Sequence, residues 1–447
     1  MTYPSSSAVV PGQATEADQY NFLRNDALCF GCDPALSGTV RDLLYQETGL
    51  IRLSRDSKTV IRLSADENAP AALTIGGRIH TVTSDLTLSL SPEAFPDPGR
   101  FFLYASGGNG AAFTLSAADS MVPAGSVQIG TFLWSGSGII PGTVRSSREW
   151  ETCQSGSDPA LCRGRLTLVP GEPVSDTDIR LGETLYFTPY RGNAAALYLG
   201  GTWETFRFSE LSLDLSGFLR EIPYDIFLEA DENGLHLSAL SWGNAAMRPD
   251  GMLTRVDGVR VSGGNSGKRY LGTIALNRSG YGEDSRTARL LWNENNRLPR
   301  PLLSRLTTTK TQGTVHSGSW APYYDEHAPE VRLLLPCPDA EFTLEGVGIS
   351  SPVSESDRSY QRASAIGICR DMVSESPYTG NECCVPVFTH TFGNGPVTIS
   401  LRSYDSGFLG YHRYTLAFWT NYSFYPIGTN LSSASGECPG LSGVFIG

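Results

Sequence analysis

The feature that most constrains this chain is a strict alternation of apolar and polar residues over short runs. Residues 85–91 read DLTLSLS, so three leucines fall on one side of an extended chain. Successive side chains of a β-strand point to opposite faces, so this pattern is typical of a half-buried strand. Similar strands are predicted at 101–105 and 127–134, between turns rich in glycine and proline. We therefore expect a compact β domain over residues 46–150.

Composition favours the same fold class for the whole chain. The 447 residues include 48 glycines and 27 prolines, and only 18% are charged. A globular chain usually carries about 25% charged residues. Short apolar runs separated by turn residues are typical of all-β proteins, so we expect a mainly β chain.

Charge and hydropathy exclude two classes of partner. The net charge of −12, without a basic cluster, argues against nucleic acid, because a phosphate backbone requires a basic surface. No apolar run approaches the ~18 residues of a spanning helix, so membrane insertion is not expected. The start, MTYPSSS, lacks the basic and apolar blocks of a signal peptide. We expect a soluble protein made in a cytoplasm.

The order of patterns divides the chain into consecutive parts. A short amphipathic helix is predicted at 15–28, where Thr15 and Asp18 form a capping box. Beyond the first domain, strands are predicted up to about residue 306, and 286–297 is a candidate short helix. The last region is expected to close as a jelly-roll-like sandwich. The predicted parts are 1–45, 46–150, a connector at 151–164, 165–306, a linker at 307–319, and 320–447.

The nine cysteines leave two interpretations open. Cys153 and Cys162 flank a polar loop, which suits a short disulfide formed after release into an oxidising medium. Free buried thiols are the alternative, because unpaired cysteine is often simply buried.

Sequence motifs give no support for catalysis, a cofactor or a metal. No Gly-x-Ser-x-Gly elbow occurs, the six histidines are scattered, and Cys29 and Cys32 lack a second cysteine pair. The glycine-rich run 263–269 lacks the P-loop spacing and predicts a hairpin turn. Two carboxylates suffice for a glycosidase, so that alternative stays open, although the β-helix periodicity of such enzymes is missing.

A late group of aromatic residues is a candidate contact surface. Trp419, Tyr422 and Tyr425 lie within WTNYSFYP. Exposed aromatic rings stack on sugar faces or anchor subunit interfaces, whereas an ordinary sandwich core is the simpler interpretation. We expect Trp419 to point away from the core.

The central region resembles a module found in many bacteriophage virion proteins, including tail fibres. The resemblance rests on the order and spacing of short segments over about 140 residues. These segments are RLTL at 165–168, LYFTPY at 185–190, GN at 192–193, GGTWE at 200–204, YDIF at 224–227, DGV at 257–259, RYLGTI at 269–274, RLLWN at 289–293 and NR at 296–297. The last region is similar to the module that often follows, through VGI at 347–349, GYH at 410–412 and GLSGVFIG at 440–447.

The resemblance implies a structural virion protein that is usually a homotrimer and that serves assembly and host attachment. It transfers no catalytic residue. A tail fibre or spike that binds a host surface glycan, with residues 1–45 attached to other virion proteins, is the first expectation. A head-attached decoration fibre is the second, and a polysaccharide-depolymerising tailspike is the third.

Overall fold

The computed structural model describes all of residues 51–306 except 68, 77, 109, 111, 120–122 and 147–157. Beyond these it describes 320–322, 328–352, 363–371, 383–390, 395–398, 409–420, 424–426 and 440–447. Every regular element in this described part is a β-strand. The chain forms two compact units, and the described residues of 51–146 belong to the first unit together with 199–202 and 231–234.

The first unit contains nine strands between residues 52 and 146. They form a sheet of order β1-β2-β5, a hairpin of β3 and β4, and a sheet of order β7-β6-β8-β9. The strands are β1 (Arg52–Arg55), β2 (Val60–Ser64), β3 (Ala71–Ile75), β4 (Arg78–Val82), β5 (Leu86–Ser89), β6 (Gly99–Gly107), β7 (Phe113–Ala118), β8 (Ser126–Trp134) and β9 (Arg145–Ser146).

One apolar core holds the first unit together. Side chains from all three sheets contribute, among them Ile61, Leu73 and Leu103, which are fully buried. Trp134 lies in the same core and donates its indole N–H to the Phe95 carbonyl at 2.8 Å. The strands predicted from alternation at 85–91, 101–105 and 127–134 are confirmed as β5, β6 and β8.

The second unit begins with fifteen strands up to residue 305. They are β10 (Gly164–Thr167), β11 (Ile179–Gly182), β12 (Thr184–Pro189), β13 (Ala194–Leu199), β14 (Thr202–Arg207), β15 (Leu211–Asp214), β16 (Pro223–Asp231), β17 (Gly234–Ser241), β18 (Leu253–Val256), β19 (Val259–Ser262), β20 (Arg269–Ala275), β21 (Gly282–Ser285), β22 (Ala288–Arg289), β23 (Leu291–Asn293) and β24 (Pro299–Arg305).

Nine more strands belong to the last region of the chain. They are β25 (Trp320–Pro322), β26 (Glu330–Leu335), β27 (Glu341–Pro352), β28 (Ala363–Arg370), β29 (Cys383–His390), β30 (Gly395–Thr398), β31 (Gly410–Thr420), β32 (Phe424–Pro426) and β33 (Gly440–Ile446).

Two sheets contain strands from both the central and the last region. One has the order β11-β21-β22-β26-β31-β28-β29, with β25 beside β31, and the other has the order β24-β33-β27-β30, with β32 beside β27. The central and last strands join by the parallel pairing of Ala288 with Arg332 and by antiparallel pairing along β24 and β33. The remaining central strands form a sheet of order β17-β16-β20-β19-β18 with β23 beside β20, a sheet of order β10-β12-β15, and the β13-β14 hairpin.

A shared core lies among these sheets. Phe227, Tyr270 and Trp292 from the central sheet pack in one cluster with Tyr414 and Phe445 from the last region. The ring centroids of Tyr270 and Trp292 are 6.3 Å apart. Central and last strands therefore bury their apolar faces against each other.

The linker predicted at 307–319 lies outside the described residues and stays a prediction. Apart from 199–202 and 231–234, residues of 165–306 fall in the same unit as those of 320–447, and strands of the two ranges pair with each other. The end of the predicted connector at 151–164 has β structure. Strand β10 starts at Gly164, and the backbone of Cys162 forms an isolated antiparallel β-bridge with Ala195.

The mainly β fold class is confirmed, and the finer predictions differ in outcome. The helix predicted at 15–28 lies outside the described residues. The helix predicted at 286–297 is wrong, because β22 and β23 occupy that segment and are buried on both faces. The hairpin predicted at 263–269 is confirmed, since it joins antiparallel β19 and β20. No self-contained jelly roll appears among the described residues of the last region, because their sheets include central strands.

A buried ion pair connects the central sheet to the last region. Asp225 is fully buried in β16 and accepts hydrogen bonds from Trp242 Nε1 at 3.0 Å and Thr273 Oγ1 at 2.8 Å. Arg248 donates to both oxygens of the same carboxylate, at 2.7 Å and 2.9 Å. Its third nitrogen donates to the Pro336 carbonyl, just after β26, at 2.8 Å.

Burial alone would lower the pKa of Arg248, but the hydrogen bonds and charge of Asp225 outweigh it and raise that pKa. The guanidinium also lies 4.5 Å from the Trp242 ring centroid, in cation–π geometry. The contacts with Asp225 and Trp242 therefore favour the charged form of Arg248.

Asparagine side chains join distant parts of the main chain in the same unit. Asn293 accepts from the Leu166 N–H at 2.7 Å and donates to the Leu166 carbonyl at 3.3 Å. Asn296 donates to the carbonyls of Cys162 and Gly164. Buried main-chain N–H and C=O groups need hydrogen-bond partners. Here the asparagine side chains are the partners of main-chain groups that no neighbouring strand pairs.

We expect Asp225→Ala to destabilise the second unit by ~3–5 kcal/mol, because the substitution leaves the buried Arg248 without its counter-charge. Urea denaturation followed by tryptophan fluorescence measures the loss.

The exposed Asp250 supplies the control, and Asp250→Ala should leave the midpoint unchanged. The double variant Asp225→Ala with Arg248→Met should lose less stability than Asp225→Ala alone. A double variant that is the less stable of the two would contradict this account of the pair.

Candidate functional site

A cavity of about 500 Å³ in the second unit is lined by five charged side chains. We call it the arginine pocket. Its lining residues are Ser175, Asp176, Thr177, Asp178, Arg286, Arg289, Arg300 and Pro301. Pockets of ~300–1,000 Å³ are the usual size for small-molecule sites, so the volume suits a ligand.

Three separate segments supply the walls of the arginine pocket. Residues 175–178 belong to the connection between β10 and β11, Arg286 lies in the turn between β21 and β22, and Arg289 is the last residue of β22. Arg300 and Pro301 lie on β24. The pairing of β11, β21 and β22 brings the first two segments together, so the pocket depends on long-range strand order.

The floor of the arginine pocket holds two buried guanidinium groups on one carboxylate. Arg289 Nη1 donates to Asp284 Oδ1 at 2.7 Å, and Arg300 Nη2 donates to Asp284 Oδ2 at 3.1 Å. Each guanidinium also donates to a main-chain carbonyl. Arg289 donates to the Pro301 carbonyl, and Arg300 donates to the Ser175 carbonyl. One carboxylate therefore accepts hydrogen bonds from two guanidinium groups.

The floor also leaves donors without partners. The Nε atoms of Arg289 and Arg300 are buried and make no hydrogen bond. Burial, together with the neighbouring charge of Arg300, lowers the pKa of Arg289, although Asp284 acts in the opposite direction. Burial and then the charge of Arg300 also lower the pKa of nearby Arg165 to about 10. Burial is the largest cause of both shifts.

The rim of the arginine pocket is formed by an ion pair. Arg286 donates its main-chain N–H to Asp178 Oδ1 at 2.9 Å and its Nε to Asp178 Oδ2 at 3.2 Å. Burial raises the pKa of Asp178, but the hydrogen bonds from Arg286 outweigh it, and the pKa lies below its usual value. Asp176 lies beside this pair and is exposed.

A second cavity of about 530 Å³ lies beyond the same turn, where Thr287 follows Arg286. It contains two carboxylates, both already hydrogen-bonded by fixed neighbours. Glu283 accepts from Ser285 Oγ at 2.8 Å, and Glu330 accepts from Arg332 Nε at 2.8 Å. Each of these carboxylates therefore already has a hydrogen-bond donor from within the chain.

The cysteines predicted to pair behave differently in the structure. The Cys162 thiol is free and buried, and Cys153 lies outside the described residues, so the structure gives their disulfide no support. Burial raises the pKa of Cys162, with the charge of Arg269 only partly offsetting it. A disulfide bond does occur at Cys369, in β28, which the sequence did not predict.

The aromatic residues predicted as a surface are only partly placed. Trp419 lies in β31, where its backbone pairs with Trp320 and Ala365. Tyr425 lies in β32 of the other large sheet, and Tyr422 falls outside the described residues. The structure does not bring Trp419 and Tyr425 into one sheet.

Thr415 and Ala417 of β31 are buried and Arg413 is half-buried. This agrees with the position of β31 as an inner strand, with β26 and β28 on its two sides. The expectation that the Trp419 side chain points away from the core stays a prediction, because this side chain lies outside the described part of the structure.

Among the described residues, no group of three or more His, Cys, Asp or Glu side chains is placed to hold a metal ion. Cys29 and Cys32 lie outside these residues. Nor does any helix there have the length and apolarity required to cross a membrane.

Comparison with known proteins does not assign a family. No family model and no curated protein matches the chain. Among solved structures, it aligns with a glycoside hydrolase family 43 arabinoxylan arabinofuranohydrolase from Bacillus subtilis in complex with cellotetraose. The alignment covers 89% of this chain and 78% of that one, at 12% identity and a TM-score of 0.13. A TM-score this low carries no argument about fold or function.

The arginine pocket was not predicted from the sequence. Asp284, Arg286 and Arg300 lie within eleven residues of Arg289, but Asp176 and Asp178 lie more than 100 residues earlier in the chain. The one local signal was the acidic and hydroxyl run 175–178 next to a turn. The sequence does not show that this run lies beside Arg286, because their contact depends on the order of β11, β21 and β22 in the sheet.

We expect Cys162 and Cys337 to resist alkylation in the folded protein. Both thiols are buried, and burial followed by a hydrogen bond with Asp339 raises the pKa of Cys337 to about 12. Because the thiolate is the reactive form, iodoacetamide should modify them only after unfolding.

Peptide mass mapping before and after denaturation measures this, without reductant. A Cys153–Cys162 peptide pair in the purified protein, or rapid modification of Cys162 in the native protein, would contradict the expected result.

Proposed function

We propose that the chain is a structural protein of a bacteriophage particle, a homotrimeric tail fibre or spike subunit that attaches the virion by binding. The observation that carries the proposal is the ordered set of segments between 165 and 297 that resembles phage virion modules. The same segments contain Asp225, Asn293 and Asn296, whose buried hydrogen bonds hold the second unit together. The resemblance therefore includes residues that stabilise the fold of the module.

A rigid all-strand body agrees with this role. Fibres and spikes experience the external medium, and the disulfide bond at Cys369 fits a protein that finishes its life outside the reducing cell. The polar pockets of the second unit offer fixed donors and acceptors to a ligand. They support attachment through a host surface glycan.

Binding is favoured over cleavage by the state of the pocket carboxylates. A glycosidase requires a carboxylic acid whose pKa is raised, so that it is protonated when the substrate arrives. Asp178 has the opposite shift, and Asp284 is held between two guanidinium groups. We therefore keep the polysaccharide-depolymerising tailspike as the last alternative.

The proposal also assigns the ends of the chain. Residues 1–45, with the helix predicted at 15–28, attach the subunit to other virion proteins. The last region faces the host, and its strands form a jelly-roll-like arrangement with their central partners. Trp419, Tyr422 and Tyr425 remain candidates for a glycan or subunit contact. A decoration fibre on the head is the second candidate, because members of the resembling class occupy different positions on the particle.

We expect purified particles to contain the chain at the tail. Gold-labelled antibodies against the purified protein should mark the tail in electron micrographs, and the same antibodies should block adsorption. Label on the head would select the decoration fibre, and particles without the chain would overturn the proposal.

The purified protein should have a mass by light scattering of three times the 48.2 kDa of one chain. It should release no reducing sugar from host polysaccharide. A monomer at micromolar concentration would contradict the trimer, and sugar release would replace binding by cleavage.

A further inference from the structure

His412 is buried near the start of β31, and both of its ring nitrogens face oxygen atoms. Nδ1 lies 2.7 Å from Asp371 Oδ2, and Nε2 lies 3.0 Å from the Leu409 carbonyl oxygen. A carbonyl oxygen and an ionised carboxylate accept hydrogen bonds and donate none. Both ring nitrogens therefore have to donate, and only the protonated imidazolium carries a hydrogen on each of them.

The Asp371 carboxylate is held in its ionised form by its donors. Its Oδ1 accepts from the Arg413 main-chain N–H at 2.9 Å, and the Asp371 N–H donates to the Arg413 carbonyl at 2.7 Å. Burial raises the pKa of Asp371. The hydrogen bonds from His412 and from the Arg413 N–H, with the charges of His412 and Arg370, outweigh burial and lower that pKa. Asp371 is therefore an acceptor that joins the end of β28 to the start of β31.

A neutral His412 cannot keep both contacts. One of its ring nitrogens would present a lone pair to an oxygen atom at hydrogen-bond distance, which is repulsive. The hydrogen bond to a charged carboxylate is the stronger of the two, so Nδ1 keeps its hydrogen and the Leu409 carbonyl loses its donor. Gly410 follows with a φ of 116°, a conformation that glycine adopts readily, so the main chain has a pivot next to Leu409.

The groups around His412 in the described part of the chain leave Asp371 as its ionic partner. Arg370, on β28, also faces the carboxylate, with its Nε 4.0 Å from Asp371 Oδ2. The next residue of β31, Arg413, reaches Glu330 instead, with 3.9 Å between Nη1 and Oε2. When His412 loses its proton, Arg370 remains as a cation beside Asp371.

The other described neighbours of His412 are uncharged. Leu333 pairs with His412 across β26 and is fully buried. Tyr414 is two residues further along β31, on the same face as His412, and packs in the shared core. The protonation of His412 is thus coupled to Asp371 and to the Leu409 carbonyl.

We propose that His412 forms a pH-sensitive latch at the start of β31. The imidazolium closes the latch by bridging Asp371 and the Leu409 carbonyl, and loss of one proton opens it at Leu409. Histidine changes charge between about pH 5 and pH 8, so acid closes the latch and alkali opens it. Proton linkage gives the same sign, because a form that binds an additional proton is stabilised as the pH falls. The inference rests on these hydrogen bonds and does not depend on the proposed function.

Hydrogen–deuterium exchange of the full chain, measured by mass spectrometry at about pH 5.5 and at about pH 8, tests the latch. Peptides that cover residues 409–413 report it. Within them, the Tyr411 N–H bonds the Ala245 carbonyl, and the Arg413 N–H bonds Asp371. Opening at Leu409 loosens these groups, so their exchange accelerates.

The variant His412→Gln supplies the reference, because a comparison at the same pH removes the intrinsic dependence of exchange on pH. Protection of 409–413 in the parent should exceed that in the variant about tenfold at the lower pH, as expected for one hydrogen bond to a charged group. At the higher pH the difference should fall to about twofold or less. An equal ratio at both pH values would show a role in packing alone and would overturn the proposal. A ratio that rises with pH would overturn it as well.

The variant Asp371→Asn covers the case in which His412→Gln does not fold. Asparagine tolerates the φ of 50° at this position, and its Oδ1 still accepts from the Arg413 N–H. Its amide donates to Nδ1 of a neutral His412 while Nε2 donates to Leu409, so the latch closes without the additional proton. At the higher pH, residues 409–413 should be about fivefold better protected than in the parent, and at the lower pH less well protected. Protection that falls with rising pH in parallel with the parent would contradict the latch.

The matched control is His236→Gln, which changes a histidine of β17 whose side chain is 43% exposed. This variant should keep the pH dependence of the parent at 409–413. A control that abolishes this dependence would place the titrating group elsewhere and would overturn the assignment to His412.

Discussion

The buried pair of Asp225 and Arg248 is the interaction on which the second unit depends. The Asp225 carboxylate accepts hydrogen bonds from Trp242 and Thr273. Arg248 donates a further hydrogen bond to the Pro336 carbonyl, in the last region. Two desolvated charges are stabilising only when their geometry and remaining hydrogen bonds are satisfied. This pair therefore fixes the register of β16 and β20 and the approach of β26 at the same time.

Fold class was predictable because alternation is a local signal, and β5, β6 and β8 were found from it. Strands buried on both faces lose that alternation, as β20 shows with every residue buried. The helix prediction at 286–297 was wrong for the same reason, because β22 and β23 are buried on both faces and show no alternation. The sequence did not predict that the central and last regions share sheets. Neither sequence segment shows that Ala288 pairs with Arg332.

The arginine pocket follows from this shared architecture. Asp284 and Arg289 pair across β21 and β22, and β24 brings Arg300 to the same carboxylate. Since β22 also pairs with β26 and β24 with β33, strands of the last region hold the walls of a pocket lined by central residues.

The central claim is that residues 157–447 form one cooperative body, in which the last region cannot fold without the central strands. Thermal unfolding of the fragments 157–447 and 320–447, followed by circular dichroism, tests it most directly. The account predicts a single sharp transition for 157–447 and no folded baseline for 320–447. A folded 320–447 fragment with its own cooperative transition would contradict it.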